Sequence, residues 1–216
     1  MCIRDRIIPD QERDRALAAL VESLDAGGVA VLPTDTVYGV AARAADADAV
    51  AELYRRKRRD PDVPVAVLVA DPAQAERLWA RSSTGRLRLV SGFWPGPLTV
   101  VDRRAVGIDW DLGGDPASLG ARCPDHPLVR ALAAEVGPLA ASSANRSGEP
   151  PVVSAAQAVD VLGGDLLVID GGLLSGAPSA VVDLRDGFRL LRSGPLGEAE
   201  LRATWEPPTM NTSEGE

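Results

Sequence analysis

Five consecutive cations, Arg55-Arg56-Lys57-Arg58-Arg59, are the densest concentration of charge in the sequence. Lysine presents a compact point charge and arginine a planar fork, so Lys57 and Arg59 together could clamp a polyphosphate. The same run also suits a solvated helix end, where cations meet the negative pole of the helix dipole. Composition adds weight to the first reading, because Lys57 is the only lysine among 23 basic residues. Asn145 and Asn211 are likewise the only asparagines. Asn145 falls in Ser142-Ser143-Ala144-Asn145-Arg146-Ser147-Gly148, small hydroxyls and an amide placed after a short apolar stretch. Such a set could read a carboxylate, a hydroxyl or an adenine edge, and open α/β sheets hold ligands beyond the carboxyl ends of their strands. A third segment, Pro33-Thr34-Asp35-Thr36-Val37-Tyr38-Gly39, carries two hydroxyls and a carboxylate, although alone it is also an ordinary capped turn. Arg122, Ser179 and Arg192 are scattered polar residues at strand ends, each unremarkable by itself.

Other chemistries are disfavoured by what is missing from these patterns. The one histidine, His126, is far in sequence from Ser142 and Ser143 and stands in an Asp-His-Pro step that opens a helix, so a serine hydrolase does not fit. One histidine and two cysteines, Cys2 and Cys123, do not make a zinc site. Neither GxxxxGK[ST] nor GxGxxG occurs, which disfavours the familiar nucleotide folds.

The elements that must position these residues follow from apolar spacing. Leu17, Leu20, Val21 and Leu24 predict a helix from a cap at Asp10 to about residue 26, ended by Gly27-Gly28. Residues 29–32 predict a strand stopped by Pro33, and residues 46–58 a helix stopped before Asp60-Pro61. Residues 65–69 form a β-branched strand, and Asp71-Pro72 opens a further helix. Strands are predicted after the Pro-Gly-Pro turn at residue 95 and at residues 119–123, 139–141, 166–169, 180–184 and 188–191. Helices fall at 127–135 and 154–162. Interspersed helices and strands over one core predict an α/β fold: a mixed, twisted open sheet in a single domain. The expected organisation is an unstructured terminus over residues 1–9, a catalytic domain over 10–205 and a disordered tail over 206–216. With 216 residues and 45% hydrophobic content the chain can build a core, and no apolar run is long enough for a membrane helix. The charged start and the few cysteines predict a cytoplasmic protein. A net charge of −8 argues against a broad nucleic-acid surface.

Taken together, the segments resemble the YrdC/Sua5 family of L-threonylcarbamoyladenylate synthases. The resemblance spans roughly residues 14–196 and rests on GGVAVLPTDTVYGVAA, the Lys-x-Arg of Lys57 and Arg59, FWPGPLTVV, LGARCPDHPLV, SSANRSG, PSAVVD and LLRSGP in that order. It implies a twisted sheet with a large, positively lined concave face. The implied reaction joins L-threonine, bicarbonate and ATP into threonylcarbamoyl-AMP and pyrophosphate, with Mg²⁺ accompanying the nucleotide and no tightly bound metal. A downstream complex would then move the group to adenosine 37 of tRNA. Carried over by motif, Lys57, Arg59, Ser118, Asn145, Ser154 and Arg192 would contact ATP, with Lys57 and Arg59 catalytic. Thr34, Arg122, Ser143 and Ser179 would hold threonine. The chain departs from the family's usual polar residue at Val63, its usual histidine at Leu68 and its commoner glutamate at Asp35. It resembles the short form, without the extra C-terminal domain.

Two other readings compete. A non-catalytic double-stranded RNA or tRNA-binding module could use the same face, but a pI near 4.8 and one basic run weigh against it and predict weak or no direct tRNA binding. A carbamoyl-phosphate-handling domain of the hydrogenase-maturation type sits in much longer chains.

Overall fold

The computed structural model describes residues 7–206. Ten strands form one mixed sheet: β1 (Ile7–Pro9), β2 (Ala30–Leu32), β3 (Gly39–Arg43), β4 (Ala66–Leu68), β5 (Leu98–Arg103), β6 (Ser118–Arg122), β7 (Leu139–Ser143), β8 (Leu167–Asp170), β9 (Ala180–Asp183) and β10 (Arg189–Arg192). Their spatial order is β1-β8-β2-β3-β7-β4-β6-β5-β9-β10. The helices are α1 (Arg13–Asp25), α2 (Ala47–Lys57), α3 (Pro72–Glu76), α4 (Thr84–Phe93), α5 (Pro127–Val136), α6 (Ala155–Leu162) and α7 (Glu198–Trp205).

The alternation of side chains along the strands divides the core in two. On one face Val67, Val100, Ala121, Ala140 and Val182 pack under residues of α2, α4, α6 and α7. On the other, Leu32, Ala41, Leu68, Leu139 and Ala141 pack with α1 and α5. Helix α1 covers that face around β1, β8, β2 and β3, and α5 packs beside α1 and reaches β4. Over β4, β6, β5 and β9 the alternate residues Ala66, Gly120, Arg122, Thr99 and Val181 line a cavity instead.

Several expected boundaries shift. Residues 7–9, expected in an unstructured terminus, form edge strand β1 paired in parallel with β8, because Ile7 and Ile8 gain a ladder there and Pro9 ends it. Helix α1 begins at Arg13 after Glu12, and Asp10 does not cap it; the Asp10 carboxylate lies 3.8 Å from His126 Nε2 instead. His126 occupies the N-cap position of α5 without a side-chain capping bond. The segment at residues 39–43, for which the sequence predicts no element, is the central strand β3, antiparallel to both β2 and β7. Helices α4 and α7 were not anticipated. The expected tail lies, apart from Glu206, outside the described residues.

Candidate active site

The segment after β2 knots itself through hydroxyls. Thr34 Oγ1 donates to the Val37 carbonyl at 2.7 Å and accepts from the Thr36 and Val37 amides at 3.1 and 3.2 Å. Its geometry is set by Pro33, which cannot extend the ladder, and by the tight return into β3. Arg122, at the end of β6, reaches under this loop. Its Nε donates to Gly96 O at 3.0 Å, Nη1 to Thr36 Oγ1 at 2.9 Å and Nη2 to Asp35 Oδ1 at 2.5 Å. Burial lowers the Arg122 pKa, and the Asp35 charge works against that. Three of the guanidinium's five N–H groups are thereby used, leaving one on each terminal nitrogen, the fork that a carboxylate takes.

Across the cavity Ser179 Oγ shares a hydrogen with Thr99 Oγ1 at 2.9 Å and accepts from Arg192 Nη2 at 3.1 Å. Arg192 Nε also donates to Ser179 O at 3.0 Å. Partial desolvation, then the charges of Arg122 and Arg59, lower the Arg192 pKa. Arg59 is fixed by bonds to Val63 O at 2.9 Å and Pro64 O at 2.8 Å. Together Thr34, Arg59, Ser118, Arg122, Ser143, Ser179 and Arg192 line one concavity of about 270 Å³. Its floor is small residues, Ala66, Gly120 and Ala141, beside Leu68. The cavity lies across the sheet face, not beyond the carboxyl ends of the strands as the general α/β rule suggested, because α1 and α5 leave that half uncovered.

The remaining three expected residues sit outside the lining. Lys57 is buried at the end of α2, its Nζ donating to Ser143 O and, at 2.7 Å, to Asn145 O. The Ser147 amide returns a bond to Lys57 O at 3.2 Å, so lysine and loop are stitched together. Burial, then the Arg59 charge, bring the Lys57 pKa down to about 8. Asn145 is buried, with Nδ2 donating to Arg146 O at 2.8 Å and Glu149 O at 2.6 Å. Its Oδ1 is buried without a partner among the described residues, an acceptor left for an incoming donor. Ser154 caps α6, its hydroxyl accepting from the Gln157 amide at 3.3 Å.

The basic run divides by helical periodicity. Arg55 and Arg56 pair with Glu52, and Arg56 with Asp165 at 2.5 Å, on the outer face. Lys57 turns inward. Arg58 ends the helix in a left-handed conformation with φ 49°, which swings Arg59 toward the cavity. Sequence reasoning missed Thr99 and Arg104, both in the lining. Thr99 sits inside FWPGPLTVV, whereas nothing in the sequence separates Arg104 from the many surface arginines.

This geometry can be set beside known proteins. The family model for Sua5, YciO and YrdC proteins, described as telomere recombination, matches residues 22–194. The chain belongs to that family. A Mycobacterium tuberculosis protein, provisionally named threonylcarbamoyl-AMP synthase, is 42% identical over 189 residues, covering 86% of this chain and 87% of its own. The threonylcarbamoyl-AMP synthase of Chromohalobacter salexigens is 39% identical over 84% of this chain and 100% of its own. Among solved structures, P. abyssi Sua5 complexed with L-threonine superposes with a TM-score of 0.84 at 31% identity, covering 92% of this chain. This chain spans 59% of that longer archaeal protein. Escherichia coli YciO, at a TM-score of 0.77 and 22% identity, shares the Sua5/YciO fold.

Proposed function

We propose that the chain is a nucleotidyltransferase that makes threonylcarbamoyl-AMP and pyrophosphate from L-threonine, bicarbonate and ATP, for the threonylcarbamoyl modification of adenosine 37 in tRNA. The observation that carries this reading is the division of the cavity's charge. Arg122 has its own carboxylate, Asp35, and two N–H groups left over, a fixed fork for an amino acid. Arg59 and Arg192 have no carboxylate at ion-pair distance among the described residues, which suits them to a polyanion. Relatives bearing the synthase name across bacteria, archaea and mammals, and the threonine complex of P. abyssi Sua5, support the same assignment.

In the chemistry proposed, the threonine amine condenses with bicarbonate to a carbamate with loss of water. A carbamate oxygen then attacks the α-phosphorus, and the bond to pyrophosphate breaks. No protein nucleophile takes part, so the work is positioning two anions and neutralising the departing charge. In the threonine half, Arg122 would hold the carboxylate, with Thr34, Ser143 and Ser179 around the remaining polar atoms. In the nucleotide half, Arg59 and Arg192 would meet phosphate, with Asn145 Oδ1 free to accept from the nucleotide. Lys57 contributes charge through its ordered loop. The lining is guanidinium and hydroxyl with no carboxylate, a donor set that does not fit a resident divalent cation. Magnesium therefore belongs with the ATP as it arrives, the product passes to a separate transfer complex, and a cytoplasmic location suits these pools.

The test is pyrophosphate release on mixing the protein with ATP, bicarbonate and an amino acid. Threonine is expected to be the best substrate, serine poorer and valine poorer still, since a site built around a hydroxyl leaves buried polar groups unpaired when it is absent. Equal turnover of valine and threonine would sink the assignment of the threonine half. No release with any of them would sink the synthase.

A further inference from the structure

We propose that Arg104 is a further phosphate-binding residue of this site, a cation that holds the ATP polyphosphate alongside Arg59 and Arg192. The proposal rests on the nucleotide-binding reading above and adds to it a residue that the sequence did not single out. Arg104 follows β5 and is fixed on both sides by the backbone. Its amide donates to Ala117 O at 2.8 Å, and it forms an antiparallel bridge with Trp79. The side chain is locked as well, with Nε donating to Ser118 O at 3.2 Å and Nη1 to Trp110 O at 2.7 Å. Nη2 makes no hydrogen bond among the described residues, and the residue lines both the main cavity and an adjoining hollow of about 320 Å³ walled by Ile108, Asp109, Trp110, Asp111 and Pro116.

The carboxylates that could neutralise it are turned elsewhere. Asp115 Oδ2 pairs with Arg185 at 2.6 Å, and its Oδ1 accepts from the Ala117 amide at 2.9 Å. Asp111 Oδ1 accepts from the Gly113 amide at 3.4 Å. Arg104 thus forms no ion pair among the described residues, although burial lowers its pKa and the two aspartates partly restore it. A surface arginine with two acids nearby ordinarily collapses onto one of them. Here the charge is half-buried and held on neutral carbonyls, and it lines a main cavity without a carboxylate, while Asp109 and Asp111 stand on the wall of the adjoining hollow without an ion pair to it. That arrangement is preorganised for an external anion. A polyphosphate is the anion of fitting size, since Arg122 already supplies the fork for an amino-acid carboxylate.

The experiment measures binding of ATP, inorganic pyrophosphate and adenosine by isothermal titration, without threonine, to the full chain and to Arg104→Met and Arg104→Lys. Methionine keeps the apolar stem. Arg104→Met is expected to weaken ATP and pyrophosphate about ten- to a hundredfold and leave adenosine unchanged, and lysine is expected to recover part of the loss. A thermal melt and the threonine affinity of the folded variant check that the Ser118 and Trp110 segments keep their places. Unchanged pyrophosphate and ATP affinity in folded Arg104→Met overturns the proposal. So does an equal loss for adenosine, threonine and ATP, the signature of a scaffold role. If the unsubstituted chain binds neither ATP nor pyrophosphate, the nucleotide reading itself fails, and this inference with it.

Discussion

Lys57 shows how one residue can hold chemistry and architecture together. Its rarity in the sequence points to a phosphate contact. Its ammonium instead lies between the carbonyls of Ser143 and Asn145, so truncation strands two acceptors beside the site. Lys57→Ala is therefore expected to cost about 1–3 kcal/mol of stability in addition to activity. Lys57→Arg should also fail, because a planar fork does not fit a slot in which the lysine is 1% exposed. Melts and pyrophosphate release on both variants check this, and a wild-type melt for Lys57→Ala would contradict it. Burial and Arg59 lower the Lys57 pKa from 10.5 to about 8. A charge penalised in the folded state means that this group adds stability as pH rises from about 8 toward the ordinary lysine value. Affinity for ATP should move the other way, falling as pH climbs through about 8 and the positive charge behind the Ser143–Asn145 loop, beside the cavity, is lost. Titrations at pH 7 and pH 9 read the change, and Lys57→Met should remove this inflection.

At the scale of elements, punctuation decided what the sequence could reveal. Helix α2 was readable because Asp46 caps it, accepting from the Ala49 amide at 3.0 Å, and because Asp60-Pro61 forbids its continuation. Strand β3 was not, since Gly39-Val40-Ala41-Ala42-Arg43 shows no alternation, and one of its partners, β7, is distant in sequence. The site followed the same division. Motif-borne residues such as Arg122 and Ser179 were visible, while Arg104 reaches the cavity only through β5 and its bridge to Trp79. Helix α7 was hidden because its anchor is tertiary: Trp205 lies over Gly85 of α4, where an added Cβ would stand 2.3 Å from the indole. Arg88 secures the end of α7 by donating to Thr204 O at 3.0 Å and to Trp205 O. Gly85→Ala should gain up to about 1 kcal/mol in helix propensity but lose about 1–3 kcal/mol by overpacking, a net destabilisation. Adding Trp205→Leu should restore the melt. If Gly85→Ala alone raises the melting temperature, the indole is not a fixed neighbour.

Over the whole molecule the charges are sorted. The net charge is −8, yet the cavity is lined by arginines and contains no carboxylate in its lining. Outside it, cations are largely matched: Arg103 with Asp186, Arg185 with Asp115 and Asp183, Arg189 with Asp183, Arg202 with Glu198, and the fully buried Arg86 with Glu76 and Asp102. This distribution favours a small polyanion, which enters the cavity and meets several unpaired charges at once. It disfavours a long one. A tRNA backbone needs cations spaced along a surface and released from their own partners, and it must also approach an acidic exterior. Even the run at residues 55–59 gives little, because Arg55 and Arg56 are tied to Glu52 and Lys57 is buried. The isolated chain is therefore expected to bind tRNA more weakly than about 1 µM at physiological salt. Filter binding across a salt series checks this, with a shallow slope expected from few phosphate contacts. Tight binding with a steep salt dependence would mean that the surface ion pairs open to receive RNA, and would favour the RNA-binding reading of the fold. Weak binding together with ATP-dependent pyrophosphate release would leave the concave face to the small substrates and delivery to tRNA to another protein.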